Sequence, residues 1–174
     1  MHRPDQHQAN IDGFRFAKAE GSISGTVSVS KLPRLAEMLR EPVAEVAYSL
    51  AGTRDSLGRL ALRLTAQCSL PLTCQRCLDA MELPLSVDSI LVLARSEREI
   101  QARQDDPDGP DWVVGGEAMP VLEMVEEELL LSLPYIPRHE KCVGGGKPRE
   151  TDASPAFTSL RGLLVGSGRH NKDH

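Results

Sequence analysis

The sequence predicts an α+β domain: an antiparallel β-sheet with one or two packed helices, between disordered tails. Three observations predict it. Leu60, Leu62, Leu64, Ala66, Cys68 and Leu70 alternate with Arg63, Thr65, Gln67 and Ser69, as in a strand buried on one face and wet on the other. After a short break, Met81, Leu83, Leu85 and Val87 alternate with Glu82, Pro84, Ser86 and Asp88, which reads as the return strand. Leu122, Val125, Leu129 and Leu133 then recur at helical spacing, with Glu123, Glu126 and Glu127 expected to face water.

Taken in order, Met1 to Asn10 has no apolar periodicity, and residues 1–21 are expected as a flexible N-terminal tail. Within it Phe14 and Phe16 alternate and suggest the start of a short strand. Ile23 to Ser30 alternates Ile23, Gly25, Val27 and Val29 with small polar residues and reads as a strand. Leu32, Leu35, Ala36 and Leu39 fit a helix of about two turns, with Pro33 in its first turn. Val43 to Leu50 reads as a strand, and Ala51 to Gly58 as the turn of a hairpin. The next strand, Leu60 to Leu70, is expected to end at Pro71, and Pro84 places the return strand at an edge or bulge. Ile90 to Leu93 prolongs that strand. Ser96 to Pro110 is a charged, acidic loop, and Asp111 to Val114 a short strand. Pro120 opens the main helix and Pro134 stops it. A single domain over 22–142 follows. Residues 143–174, with Gly144-Gly145-Gly146 and Lys147-Pro148, are expected as a flexible linker and C-terminal tail carrying a short apolar motif.

Composition narrows the function classes. Aromatic residues are 3% of the chain, so the core must be aliphatic. Net charge is -5, which disfavours a generally basic nucleic-acid-binding surface. The charge is uneven: from Tyr135 onward seven Lys/Arg stand against four Asp/Glu, so the preceding body is the acidic part. No apolar run reaches membrane-span length, and Met1 to Glu20 lacks the apolar core of a signal peptide. A cytoplasmic setting with reduced thiols is therefore expected. No hydrolytic or phosphate-binding pattern is present, since Gly144 to Lys147 neither follows a strand nor opens a helix. No enzyme and no small-molecule substrate are expected.

The chemistry concentrates in two stretches. Thr73-Cys74-Gln75-Arg76-Cys77-Leu78 stands at the predicted hairpin tip, and Pro137-Arg138-His139-Glu140-Lys141-Cys142 follows the main helix. A Cys-x-x-Cys turn presents two sulfurs on one side, and His139 with Cys142 could complete a four-ligand structural zinc site. The interval between the pairs is longer than in a tight zinc ribbon. Two other readings stand beside it. The cysteines could be partly buried small hydrophobes and His139 a surface residue. Alternatively Cys74 and Cys77 form a redox dithiol, although the flanking strands look antiparallel and no helix follows. Cys68 follows the strand alternation and is expected in the core.

Leu72 to Leu78, together with Glu127-Glu128-Leu129-Leu130-Leu131-Ser132-Leu133-Pro134-Tyr135-Ile136-Pro137-Arg138-His139, resembles the YceD family of large-ribosomal-RNA accumulation proteins. Pro155-Ala156-Phe157-Thr158-Ser159-Leu160 is similar to that family's Asn-Pro-Phe-type motif, with Ser154 in place of asparagine and Ala156 inserted. The resemblance implies a cytoplasmic, non-catalytic factor in synthesis, processing or early assembly of large-subunit ribosomal RNA. Its partner would be a ribosomal protein or the large-subunit rRNA precursor; it does not itself demand a metal. Arg76, Arg138 and Lys141, with Phe157 and Leu160 of the tail motif, are the candidate partner-binding residues. The competing class is a small zinc-stabilised interaction domain without a ribosomal role.

Overall fold

The computed structural model of the chain describes residues 10–102 and 109–142. Among the described residues, those up to His139 form one compact unit, and Glu140 to Cys142 fall outside it. The first unit is built on a five-stranded sheet in sequence order: β2 (Ser22–Ser28), β3 (Glu45–Arg54), β4 (Leu60–Thr73), β5 (Ala80–Ala94) and β6 (Asp111–Val114). The first four pair antiparallel and β6 runs parallel to β5, so the expected antiparallel sheet carries one parallel edge. Around it lie α1 (Gly13–Lys18), α2 (Pro33–Met38), α3 (Glu97–Gln101) and α4 (Val121–Ser132). A two-stranded pair joins β1 (Asn10–Ile11) to β7 (Met119–Pro120). Among the described residues no helix is long and apolar enough to cross a membrane.

The alternation in β4 does what its sequence requires. Leu62, Leu64, Ala66, Leu70 and Leu72 are buried, as are Leu50, Leu35, Val125 and Leu129, while Arg63, Gln67 and Ser69 are exposed. Cys68, expected in the core, is half-buried. Two prolines sit within the long hairpin without breaking it. Pro71 was expected to end β4, but the strand continues to Thr73. Pairing with β3 stops at Gln67, so Pro71 lies on a stretch of β4 without a β3 neighbour. Its carbonyl faces that side and accepts from Arg40 N at 3.1 Å, so its missing N–H costs no ladder bond. Pro84 sits where β5 has no β6 neighbour, an edge position as its sequence suggested.

The N-terminal expectation is corrected. Residues 10–21 form β1 and α1 rather than tail, and Phe14 and Phe16 lie on a helix, not a strand. Asp12 caps that helix by accepting from Arg15 N at 2.9 Å. Helix α1 then lies close on β3: a Cβ at Gly52 would fall 2.5 Å from the Phe16 carbonyl oxygen, so only glycine permits this approach. The alternation of two aromatics was too short to separate a strand from one helical turn. Of the acidic loop over 96–110, residues 97–101 form α3, and 103–108 lie outside the described residues, as do 1–9 and 143–174.

The main helix departs from expectation most sharply at one residue, Glu126, although Glu128 is also buried. Val121, Val125 and Leu129 are buried, whereas Leu122 and Leu133 are half-buried, and Glu126, expected in water, is 3% exposed. The reason lies in α2. Its N-cap, Leu32, has no side-chain acceptor, so the first-turn N–H groups need one from elsewhere. Glu126 Oε1 accepts from Arg34 N at 2.8 Å and Leu35 N at 3.1 Å, and Oε2 accepts from Arg34 Nε at 3.0 Å. A carboxylate on α4 thus caps a helix about ninety residues away. We expect Glu126→Ala to destabilise the fold by about 2–4 kcal/mol, because it leaves buried donors unsatisfied. Glu126→Gln, which keeps an acceptor, should cost less; urea denaturation of both variants measures the difference.

Candidate metal centre

The hairpin tip is a closed knuckle. Cys74 N donates to Asp79 O at 2.9 Å and Leu78 N donates to Cys74 O at 2.9 Å. Closing the loop puts Leu78 at φ 64, a left-handed backbone that a leucine adopts only when its surroundings impose it. Helix α4 ends before Pro134, and the following segment is laid against the knuckle: Gln75 N donates to Pro137 O at 2.8 Å. Pro134 and Pro137 stiffen this segment between them.

This arrangement brings His139 to the cysteines. Its Nε2 lies 3.2 Å from the Ala80 carbonyl oxygen and its Nδ1 lies 3.4 Å from Cys77 Sγ. A carbonyl can only accept, so the hydrogen sits on Nε2, and the Nδ1 lone pair faces the sulfur. A backbone carbonyl fixing the tautomer of a ligating histidine is a recurrent feature of metal sites. The ligand atoms of Cys74, Cys77 and His139 all lie within 4.8 Å of one another. Tetrahedral zinc with thiolate ligands places sulfurs about 3.8 Å apart, so a small contraction would suffice to close these atoms on an ion.

Cys74 is fully buried. Burial alone would push its thiol up, but backbone N–H groups of Cys77, His139 and Arg76, with the Cys77 thiol, more than offset this and lower it from 9.0 to about 5. A sulfur surrounded by donors is prepared as a thiolate, the form that binds metal. Cys68 differs: burial pushes its thiol up, and it takes no part in this centre.

Of the remaining candidate residues, Arg76 and Arg138 are exposed beside the bond that joins Gln75 to Pro137. Lys141 and Cys142 belong to the segment that begins at Glu140, and Phe157 and Leu160 lie outside the described residues. The apolar part of this corner was not among the residues expected from the sequence. Tyr135 is 99% exposed, and Leu78, Leu131 and Ile136 are also open to solvent. The available signal was the sequence Pro134-Tyr135-Ile136-Pro137, in which two large apolar residues are held between prolines that prevent their folding back into a helix. Elsewhere, a groove of about 1150 Å³ between α2 and α4 has Leu32, Val121 and Met124 in its walls but, among the described residues, no cysteine or histidine.

Comparison with known families matches residues 62–164 to the family described as large ribosomal RNA subunit accumulation protein YceD. The match starts in β4 and takes in the knuckle, α4 and His139. No solved structure matches the chain.

The depressed Cys74 thiol carries a pH signature. Its folded value, about 5, lies below its ordinary value of 9.0, so ionisation favours the folded state. The contribution is complete above the ordinary value and is lost as pH falls through the folded value. With metal removed and thiols reduced, stability should therefore rise with pH between about 5 and 9, and Cys74→Ser should remove that part of the slope. Thermal melts of both proteins across this range provide the measurement.

Proposed function

Because this chain belongs to the YceD family of large ribosomal RNA subunit accumulation proteins, we propose that it acts in the cytoplasm as a non-catalytic docking factor in large-subunit assembly. The family's description names an accumulation role and not a reaction. The observation that carries the docking reading is the corner formed by the knuckle and the segment after α4. There Tyr135, Ile136 and Leu78 are exposed beside Arg76 and Arg138. Tyrosine and arginine around an apolar centre are the residues on which binding energy concentrates.

The partner we favour is a basic ribosomal protein, with rRNA as a secondary contact. The net charge of -5 is complementary to such a protein and repels phosphate at long range. Arg76, Arg138 and Lys141 would supply the local contacts to RNA or to an acidic group on the partner.

We propose further that one structural zinc holds the corner rigid, bound by Cys74, Cys77, His139 and Cys142. Cys142 lies three residues beyond His139, within about 10 Å along even an extended chain. Four protein ligands leave no open position, so the metal would stabilise the surface and perform no chemistry.

In a sucrose gradient of lysate from growing cells, the protein should co-sediment with large-subunit precursors. Tyr135→Ala combined with Arg76→Glu and Arg138→Glu should move it to the top of the gradient while leaving its melting unchanged. A wild-type protein found only at the top would overturn the docking role. Separately, protein purified without a histidine tag or chelator should contain one zinc per chain by elemental analysis. Both Cys74→Ser and Cys142→Ser should lose it; a metal-free wild type would refute the zinc assignment.

A further inference from the structure

The two edges of the sheet are protected differently. Strand β6 has four residues and begins at Asp111 after Pro110, so charge, a nearby proline and short length blunt it. Strand β2, Ser22 to Ser28, has seven residues, and none of them is charged or proline. Its register against β3 is one-to-one from Ser22↔Ala51 to Ser28↔Glu45, without a bulge. Within the strand there is thus no charge, proline or bulge of the kind that keeps an edge from pairing, and among the described residues no strand covers it.

The parity of this ladder shows which backbone groups face outward. At its two ends Gly52 N donates to Gly21 O at 2.8 Å and Val29 N donates to Ala44 O at 2.9 Å. Odd-numbered residues of β2 therefore bond to β3, and by antiparallel alternation the N–H and C=O groups of Ser22, Ser24, Thr26 and Ser28 point away from the sheet. Among the described residues no strand pairs with them.

We propose that β2 is the pairing edge of a two-fold homodimer, in which β2 of one copy adds antiparallel to β2 of another. The pairing that uses the whole strand sets Ser22 against Ser28 and Ser24 against Thr26, with Gly25 facing its own copy across the axis. On the wet face this gives cross-strand hydroxyl pairs. On the core face half-buried Ile23 stands opposite Val27, which is already buried in its own copy, so Ile23 gains most of the added cover. The Tyr48 ring fills the space over Gly25, where a Cβ would lie 3.2 Å from the Tyr48 hydroxyl oxygen. Among the described residues that buried hydroxyl has no hydrogen-bond partner, and the two-fold sets two of them on either side of the axis.

The self-complementary register, together with the charges at the two ends of the strand, favours the antiparallel sense and a second copy as the occupant. Exposed Glu20 precedes β2 and exposed Lys31 follows it. Antiparallel self-pairing brings each to the oppositely charged end of the other copy, whereas parallel pairing would bring like to like. Lys18 on α1 and Glu45 on β3 stand one element back from the edge. The paired strands are short and their side chains small, so the contact falls below the usual size of a stable interface and the dimer is expected to be weak.

The test is sedimentation equilibrium of the full chain from about 10 µM to about 1 mM, the range in which a weak interface populates. The weight-average mass should climb from 19.0 kDa toward twice that value. Ser24→Pro removes only an outward N–H and breaks no bond to β3. Ser24→Lys places a charge on the wet face close to its two-fold copy. Each variant should keep the far-ultraviolet circular dichroism of the parent and stay at 19.0 kDa throughout; should the proline variant fail to fold, the lysine variant decides. A parent that remains at one chain, a dimer that persists in the folded variants, or a mass that passes two chains through open-ended association would each overturn the proposal.

Discussion

A slip of one residue between β4 and β5 would exchange Leu62, Leu64, Ala66, Leu70 and Leu72 for Arg63, Thr65, Gln67 and Ser69 on the core face. Their register, from Ala61↔Val92 to Thr73↔Ala80, is therefore fixed by burial along nearly its whole length. The same register sets the knuckle. Thr73 opposite Ala80 leaves Cys74 to Asp79 to close the turn, and Ala80 O is then in place to hold His139. Burial of leucines at the far end of the hairpin thus determines the geometry of sulfur and imidazole at its tip.

The helices depend on a second constraint, polar and long-range. Helix α2 has six residues, too few to be stable by propensity, and its own N-cap offers no acceptor. Glu126 supplies the acceptor from α4, and Arg34 answers it and also pairs with Glu127 at 2.7 Å. The exposed Arg34–Glu127 pair contributes little alone. The buried side of the arrangement matters more, because removing the carboxylate would strand two backbone donors.

Strands were legible where one face is wet, since alternation records that asymmetry directly. Length misled at Phe14 and Phe16, where two residues two apart fit a strand or a helical turn and the deciding feature was the Asp12 cap. Composition misled at Glu126, because a charged residue on an amphipathic helix normally faces solvent, and its partners lie in a segment that no local pattern connects to it. The parallel pairing of β6 was equally hidden: four residues carry no record of strand direction. At the site, the meeting of Cys77 with His139 could be anticipated from a hairpin tip and a proline-stopped helix. The set of amides around Cys74 could not, because it depends on backbone directions within the knuckle.

That set of amides also separates the two chemistries open to a Cys-x-x-Cys pair. A redox dithiol needs a thiolate that can reach a substrate disulfide, commonly at a helix N-terminus and partly exposed. Here β5 follows the knuckle in place of a helix, and the sulfur with the depressed value, Cys74, is fully buried. A buried sulfur ringed by donors fits the proposed structural metal site, while Cys77, half-buried, is the sulfur of the pair nearer to solvent. The reactive-looking group thus lies inside the corner, and what the corner presents outward is a surface of Tyr135, Ile136, Leu78 and two arginines. Exposed apolar groups of this kind gain binding strength when they are held in place beforehand, because less freedom is lost on association. The knuckle hydrogen bonds and the flanking prolines provide that rigidity, which is what the docking role proposed for this face requires.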